Sequence, residues 1–198
     1  MRKMFSFALL FLSFVSFGYA QVQNYTIVPE LSNLSFDVSA QMHRVQGVSN
    51  AFSGTISGDP KDITAAKIVV RLDPSTFDTR NEKRDKVMRE KSLETEKYPQ
   101  IEFESTSIEA TNKELAPNRT TEATIKGRLK LHGIEKDVEV PVRILWNENQ
   151  VSADATMELN LDDFGIFRPK VFLFRLQKEV KVHFRIVAEK ALDPMQNR

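Results

Sequence analysis

The strongest constraint on the fold is an alternation of apolar and polar residues that returns along most of the chain. In TIKGRLKL (residues 124–131), every second position is apolar or glycine, and the positions between them are polar. A period of two puts successive side chains on opposite faces of a β-strand. The same pattern occurs at residues 34–42, 68–72, 101–104, 138–144, 151–159 and 180–186. The sequence therefore predicts an all-β domain of seven or eight strands, each with one apolar face.

One stretch, NEKRDKVMREKSLETEK (residues 81–97), breaks this alternation. It lacks Gly and Pro and is rich in helix-forming residues, which predicts a helix that ends before Tyr98-Pro99. Its apolar residues, Val87, Met88 and Leu93, form too small a stripe to build a core. We therefore expect this helix to cap one end of the sheet structure. Residues 110–121 are predicted to form an exposed loop.

The architecture is either a barrel or a sandwich, since both alternate inward and outward positions along each strand. The strands are long, and a single helix interrupts them without a crossover. These two features favour an antiparallel barrel of about eight strands, which leaves room for one ligand when its inward residues do not fill the middle.

The N-terminus has the organisation of a secretory signal peptide. Arg2 and Lys3 precede the apolar run 5–17, which ends at Gly18-Tyr19-Ala20. A transmembrane anchor is the competing interpretation, but a membrane span needs about 20 apolar residues. We therefore expect residues 1–20 to be removed after Ala20, leaving residues 21–198 as a single periplasmic or secreted domain without a stable membrane anchor.

Charge and cysteine content exclude several functions. Without Arg2 and Lys3, the 28 basic residues become 26 against 27 acidic residues, a net charge of −1. A near-neutral surface argues against a nucleic-acid partner, which requires a basic stripe. The chain has no cysteine, so thiol catalysis and Cys-zinc sites are excluded.

Three segments carry a family resemblance: DPSTFDTRNEKRDKVMREKSLETEKYPQIEFES (73–105), GRLKLHGIEKDVEVPV (127–142) and DDFGIF (162–167). In these segments the chain resembles the YceI-like, polyisoprenoid-binding proteins, and the likeness extends from about Asn24 to Lys190. The resemblance implies a lipocalin-like barrel with an elongated pocket for an isoprenoid quinone, a polyprenyl phosphate or a similar amphiphile. The chain departs from the family pattern at Ala40, where many members have a histidine, and at residues 127–130. These departures concern the contacts of the ligand's head group.

The inward positions of the strands are the candidate lining of such a pocket. The alternative is an ordinary barrel core without a cavity. The predicted ligand-binding residues are Phe36, Val38, Phe52, Ile68, Val70, Phe103, Leu129, Leu131, Val140, Met157, Phe164, Phe167 and Phe184.

Two further features concern the entrance and the head group. The Phe-rich stretch 164–174 is interpreted as a hairpin or loop at the barrel mouth, with an edge strand or a protein contact patch as the alternative. His43 and Arg84 are the head-group candidates. Arg84 could instead pair locally, with Asp85 stabilising the first helical turn.

No catalytic residue, metal site or cofactor is predicted. His43, His132 and His183 lack the i, i+2 or i, i+4 spacing that places two metal ligands on one face, and no nucleophile motif is present.

The favoured function is an exported lipid carrier for transport, storage or envelope stress tolerance. A solid-cored interaction module that docks through residues 164–174, and an enzyme acting on a bound lipid, are the alternatives. The sequence leaves the identity of the lipid and homodimer formation open.

Overall fold

Twelve β-strands dominate residues 22–40, 43–171 and 174–191, which this computed structural model describes. The signal peptide predicted at residues 1–20 lies outside the described residues. The strand bounds are β1 Gln23–Ile27, β2 Asn33–Ala40, β3 His43–Ser49, β4 Phe52–Asp59, β5 Asp62–Leu72, β6 Ile101–Ala110, β7 Thr120–Leu131, β8 Ile134–Trp146, β9 Gln150–Asn160, β10 Lys170–Val171, β11 Phe174–Arg175 and β12 Glu179–Lys190.

The main sheet is antiparallel and closes on itself. Its order is β1-β4-β5-β6-β7-β8-β9-β12-β2-β3, and β1 pairs with β12 as well as with β4. β1 and β2 pair with successive parts of β12, so together they occupy one strand position. The chain passes from β3 directly into β4, and these two strands share a second position. The ring therefore has eight strand positions, and the predicted eight-stranded antiparallel barrel is confirmed. Closure pairs the edges that a sandwich would leave exposed, except along β3.

The base of the barrel, where β1 begins and β8 ends, is packed solid. Tyr25, Leu115 and Trp146 are buried there in one cluster, and the Trp146 indole N–H donates to the Tyr25 hydroxyl at 2.8 Å. Burial raises the pKa of the Tyr25 phenol. The loop before β7 closes this end, because the backbone N–H of Leu115 donates to the carbonyl of Pro60 at 2.8 Å. The expectation of an exposed loop at 110–121 is therefore wrong at Leu115, whose side chain is a plug.

At the upper end, where β2, β7 and β9 end, the predicted helix is present but shorter than expected. Helix α1 covers Glu82–Val87 and continues as one π-helical turn, Met88–Ser92. The Asn81 side chain accepts from the backbone N–H of Arg84 at 3.1 Å and caps the first turn. Glu94 has a left-handed backbone with φ 46°, which ends the helical path before residue 97.

The segment between β5 and β6 fills an interruption in the barrel wall. In the described chain, β3 forms its ladder with β2 and meets the other side of the barrel through a single bridge between Val48 and Asp78. Residues 73–98 occupy this side of the upper barrel, and the Phe77 ring packs edge-on against Phe36 with centroids 5.2 Å apart. The helix therefore covers a side opening as well as the upper end. No helix among the described residues is long and apolar enough to cross a bilayer.

Candidate functional site

The barrel encloses a cavity of about 620 Å³ above the packed base. Inward side chains of the strands form most of its wall, and the wall is almost entirely apolar. In the part of the chain that the structure describes, the polar residues on this wall are Thr79, Arg84, Ser92 and Arg168. A concave apolar site of this size with a few polar groups is typical of a pocket for an amphiphilic small molecule.

Two glycines on inward positions explain why the bulky side chains do not fill the barrel. Phe36 lies opposite Gly47 in the register of β2 and β3, and a β-carbon at residue 47 would overlap the Phe36 ring. On the other side, a β-carbon at Gly127 would come within 2.5 Å of the Phe103 ring. Each ring thus occupies the space above a glycine on the neighbouring strand. This arrangement keeps two large aromatic groups close to the wall and leaves the middle open.

Most of the residues predicted to bind a ligand line this cavity. The exception is Phe164, which is only 2% exposed and packs in a separate cluster with Leu129, Leu131 and Ile166. Its ring therefore packs against residues that line the cavity and does not line it itself. Ligand binding by the whole set remains a prediction. The predicted residues found on the wall are Phe36, Val38, Phe52, Ile68, Val70, Phe103, Leu129, Leu131, Val140, Met157, Phe167 and Phe184.

Several residues that line the cavity were not among the predicted ligand-binding residues. Phe77 and Leu176 lie outside the alternating strands, so no periodic signal marks them. Val87, Met88 and Leu93 of the helical segment also line the cavity. Their position could have been predicted from the sequence, since a narrow apolar stripe indicates the face with which a helix covers a core.

Arg84 lies on the cavity wall and is held by a neighbour. Its Nε donates to the Thr79 hydroxyl at 2.7 Å, and its Nη2 donates to the Thr79 carbonyl at 2.6 Å. The buried Asp85 carboxylate accepts from the Thr79 backbone N–H at 3.1 Å and also from the Thr79 hydroxyl. Arg84 therefore bonds locally through Thr79 and not directly to Asp85. The remaining guanidinium N–H groups of Arg84 make no bond to Thr79. They lie at the edge of the apolar cavity.

The second guanidinium of the wall, Arg168, organises the stretch between β9 and β12. It forms a bidentate pair with Asp162, with both N–O distances 2.8 Å, and its Nη1 donates to the carbonyl of Leu176 at 2.6 Å. Such paired bonds fix the geometry of the loop they connect.

The Phe-rich stretch forms part of the mouth. It begins in a 3-10 turn at Leu161–Phe164 and continues into the two-stranded hairpin of β10 and β11. Ile166 and Phe167 line the cavity, and Phe167 is 54% exposed. Residues 172–173 of the predicted hairpin lie outside the described chain.

The three histidines are separated. His43 begins β3 opposite Ala40, and its side chain lies outside the described part of the structure. His183 accompanies Thr156, with its Nδ1 2.7 Å from the hydroxyl, and His132 contacts Glu94. Within the described residues, no three His, Asp or Glu side chains converge as metal ligands would.

A family model described as the YceI-like domain matches residues 25–188. The chain belongs to the YceI-like family. A UPF0312 protein of Pseudomonas savastanoi is 29% identical over 165 residues, which cover 78% of this chain and 82% of that relative. Protein YceI of Escherichia coli O157:H7 is 32% identical over 127 residues, 61% of this chain and 62% of the relative.

Solved structures show the same YceI-like fold. Burkholderia cenocepacia BcnA has a TM-score of 0.70 at 21% identity, covering 81% of this chain and 98% of BcnA. A polyisoprenoid binding domain from Saccharophagus degradans also has a TM-score of 0.70, at 17% identity, covering 84% of this chain and 98% of that domain. The family supports a lipid-binding barrel as the general class of this protein.

Proposed function

We propose that this YceI-like protein holds the apolar chain of an isoprenoid-type amphiphile, such as an isoprenoid quinone or a polyprenyl phosphate, in its barrel cavity. The observation that carries the proposal is the 620 Å³ apolar chamber above a packed base. The Saccharophagus relative, described as a polyisoprenoid binding domain, supports this ligand class. Each CH₂ taken from water contributes about 0.8 kcal/mol, so the tail supplies most of the binding free energy.

The head group lies at the mouth in this proposal. A tail that enters the chamber leaves its polar end near the guanidinium of Arg84, whose remaining N–H groups can donate to a carbonyl or a phosphate oxygen. His43 is the second candidate, at the start of β3. The protein serves transport, storage or envelope stress tolerance after export to the periplasm or the medium, with cleavage after Ala20.

Binding without chemistry is the role that the cavity supports. Its wall presents hydrocarbon surface and a few hydrogen-bond donors, whereas a nucleophile needs an adjacent base within hydrogen-bond reach. The proposed role therefore requires no cofactor, and the lipid is the ligand.

The test is extraction of the purified protein with organic solvent followed by mass spectrometry. A bound isoprenoid is the expected result. Leu159→Trp adds an indole on the cavity side of β9 and should reduce the lipid recovered, whereas Glu158→Trp, at the adjacent exposed position, should leave it unchanged. Circular dichroism verifies that both variants are folded. A lipid-free extract, together with no uptake of an added isoprenoid, would refute the proposal.

An interaction module that docks through residues 164–174 is the second candidate. The exposed ring of Phe167 favours it, but the interior is not the solid core which that hypothesis assumed. Phe167→Ser separates the two functions, because a docking role predicts loss of a partner while the extracted lipid remains.

A further inference from the structure

His132 connects three elements at the upper end of the barrel. Its Nε2 lies 2.7 Å from the Glu94 carboxylate, and its Nδ1 lies 3.0 Å from the carbonyl oxygen of Phe164. The side chain is 10% exposed. Glu94 follows the π-helical turn, Phe164 ends the 3-10 turn, and His132 itself stands between β7 and β8. One imidazole thus ties both segments that cover the mouth to the barrel wall.

Both partners of this ring are hydrogen-bond acceptors. A neutral imidazole carries one N–H, so it can donate to the carboxylate or to the carbonyl, but not to both. Making both bonds requires either the doubly protonated imidazolium or a proton on Glu94. In each case the site holds one proton more than a neutral histidine beside an ionised glutamate. Loss of that proton leaves a nitrogen lone pair facing an oxygen atom.

The surroundings of the ring hold it in place. Tyr98 packs edge-on against it with centroids 4.5 Å apart, and the Lys97 ammonium lies 4.8 Å from the Tyr98 ring centre. A β-carbon at Gly133 would come within 2.5 Å of the Tyr98 ring. His132 and Glu94 both have left-handed backbones, with φ 52° and 46°, a conformation that is maintained when surrounding contacts compensate for it.

The charged groups of β8 and of the 3-10 turn have partners of their own. Lys136 of β8 lies 3.9 Å from Asp163 of the 3-10 turn, and Asp162 of the same turn is bound by Arg168. Glu94 is therefore the charged group in direct contact with the ring.

His132 and both of its hydrogen-bond partners lie within two residues of the cavity wall along the chain. Leu131 precedes it, Leu93 precedes Glu94, and Ile166 lies two residues after Phe164. Movement of either covering segment would therefore change the opening of the chamber. We propose that His132 is a proton-controlled latch, which holds the mouth closed when its site is protonated and allows the cavity ligand to exchange faster when the proton is lost. This inference rests on the proposed lipid-binding function.

The latch can be measured first on lipid-free protein. The amides of Gly165 and Ile166 donate to the carbonyls of Asp162 and Leu161 within the turn, so their hydrogen-exchange protection factors report its opening. Between pH 5 and pH 9 we expect the protection factors of these two amides to fall about tenfold relative to that of the barrel amide of Val140. A tenfold change corresponds to the loss of one hydrogen bond to a charged group. His132→Asn, which tolerates the left-handed backbone, should have low protection at both pH values.

Release of a bound lipid is the second measurement. Protein loaded with a C20 isoprenoid alcohol is mixed with phosphatidylcholine vesicles, and transfer is followed from pH 5 to pH 9. Wild type should release the alcohol several-fold faster at high pH, and Glu94→Gln should show a weaker pH dependence because its amide lacks the charge. His183→Asn, on the outer face, is the matched control and should behave as wild type.

The two experiments separate the latch from the lipid-binding function. Unchanged protection of Gly165 and Ile166 across this pH range would overturn the latch, whether or not lipid binds. Failure to load any isoprenoid, with pH-dependent protection present, would overturn the proposed function alone. A loaded protein whose release is independent of pH, in wild type and in His132→Asn, would likewise overturn the latch.

Discussion

The ring of Phe103 occupies the space that a β-carbon at residue 127 would need, with its Cζ 2.5 Å from that position. Gly127 is the inward position of β7 that permits this approach, and Gly47 does the same for Phe36. The two rings therefore lie against the wall, and the chamber between them stays open. A glycine in a strand, which usually weakens a sheet, here determines the shape of a binding cavity.

Gly47→Ala should shrink the chamber without unfolding the barrel. The added methyl group displaces the Phe36 ring, a side chain that can move toward the open middle, so we expect a cost of about 1–3 kcal/mol and less bound lipid. Gly127→Ala should cost more, because the backbone carbonyl of Glu104 also blocks the new atom. Urea unfolding and lipid stoichiometry of the two variants provide the comparison. Equal stability of both variants would contradict this explanation.

Leu115→Ala should open the base of the barrel. The side chain is 8% exposed and plugs the end beside Trp146, so its loss is expected to cost about 2–5 kcal/mol. Glu114→Ala changes the exposed neighbour in the same loop and should alter stability by less than about 0.5 kcal/mol. Thermal and urea unfolding measure the difference. A variant as stable as wild type would show that the loop merely covers a base closed by other residues.

Arg84→Met should weaken binding of an isoprenoid with an oxygen-rich head group by about tenfold, the value of one charge-assisted hydrogen bond. Binding of a plain C20 hydrocarbon should change little, since the tail contacts remain. Lys83→Met removes an exposed charge from the same helix and serves as the control. Competition titrations against a fluorescent lipid give both affinities. Equal loss for both ligands would assign Arg84 to the cavity wall alone.

Alkaline pH should destabilise the barrel through Tyr25. Burial raises the pKa of its phenol above the value of 10.0 for an unperturbed tyrosine, so above about pH 10 the unfolded chain releases a proton that the folded chain retains. The free energy of unfolding therefore falls as pH rises from about 10 toward the folded pKa. Tyr25→Phe should lack this part of the decline. Urea unfolding between pH 8 and pH 11 tests it, and parallel curves for the two proteins would exclude Tyr25 as the cause.

The sequence predicted the strands and most of the cavity wall because both depend on local order. An inward residue at one position of a strand implies inward residues two positions away, so Leu129 and Leu131 could be assigned from the alternation alone. Phe77 could not be assigned in this way, since it lies in a connection that packs against Phe36 from another part of the chain. Leu115 was missed for the same reason, as its burial depends on where the loop meets the base.

The sequence by itself determined that this chain forms long strands with one apolar face and one covering helix, because the period of two and the helix-forming composition act over a few neighbouring residues. Strand length and the absence of a crossover favoured a barrel, and the pairing of distant strands decided it. Tertiary structure alone decided that the barrel is hollow above and plugged below. A cavity exists where side chains from distant strands fail to meet, and Gly47 and Gly127 prevent that meeting by placing Phe36 and Phe103 against the wall. The bonding of His132 also required the fold, because its two acceptors, Glu94 and Phe164, lie 38 and 32 residues away along the chain.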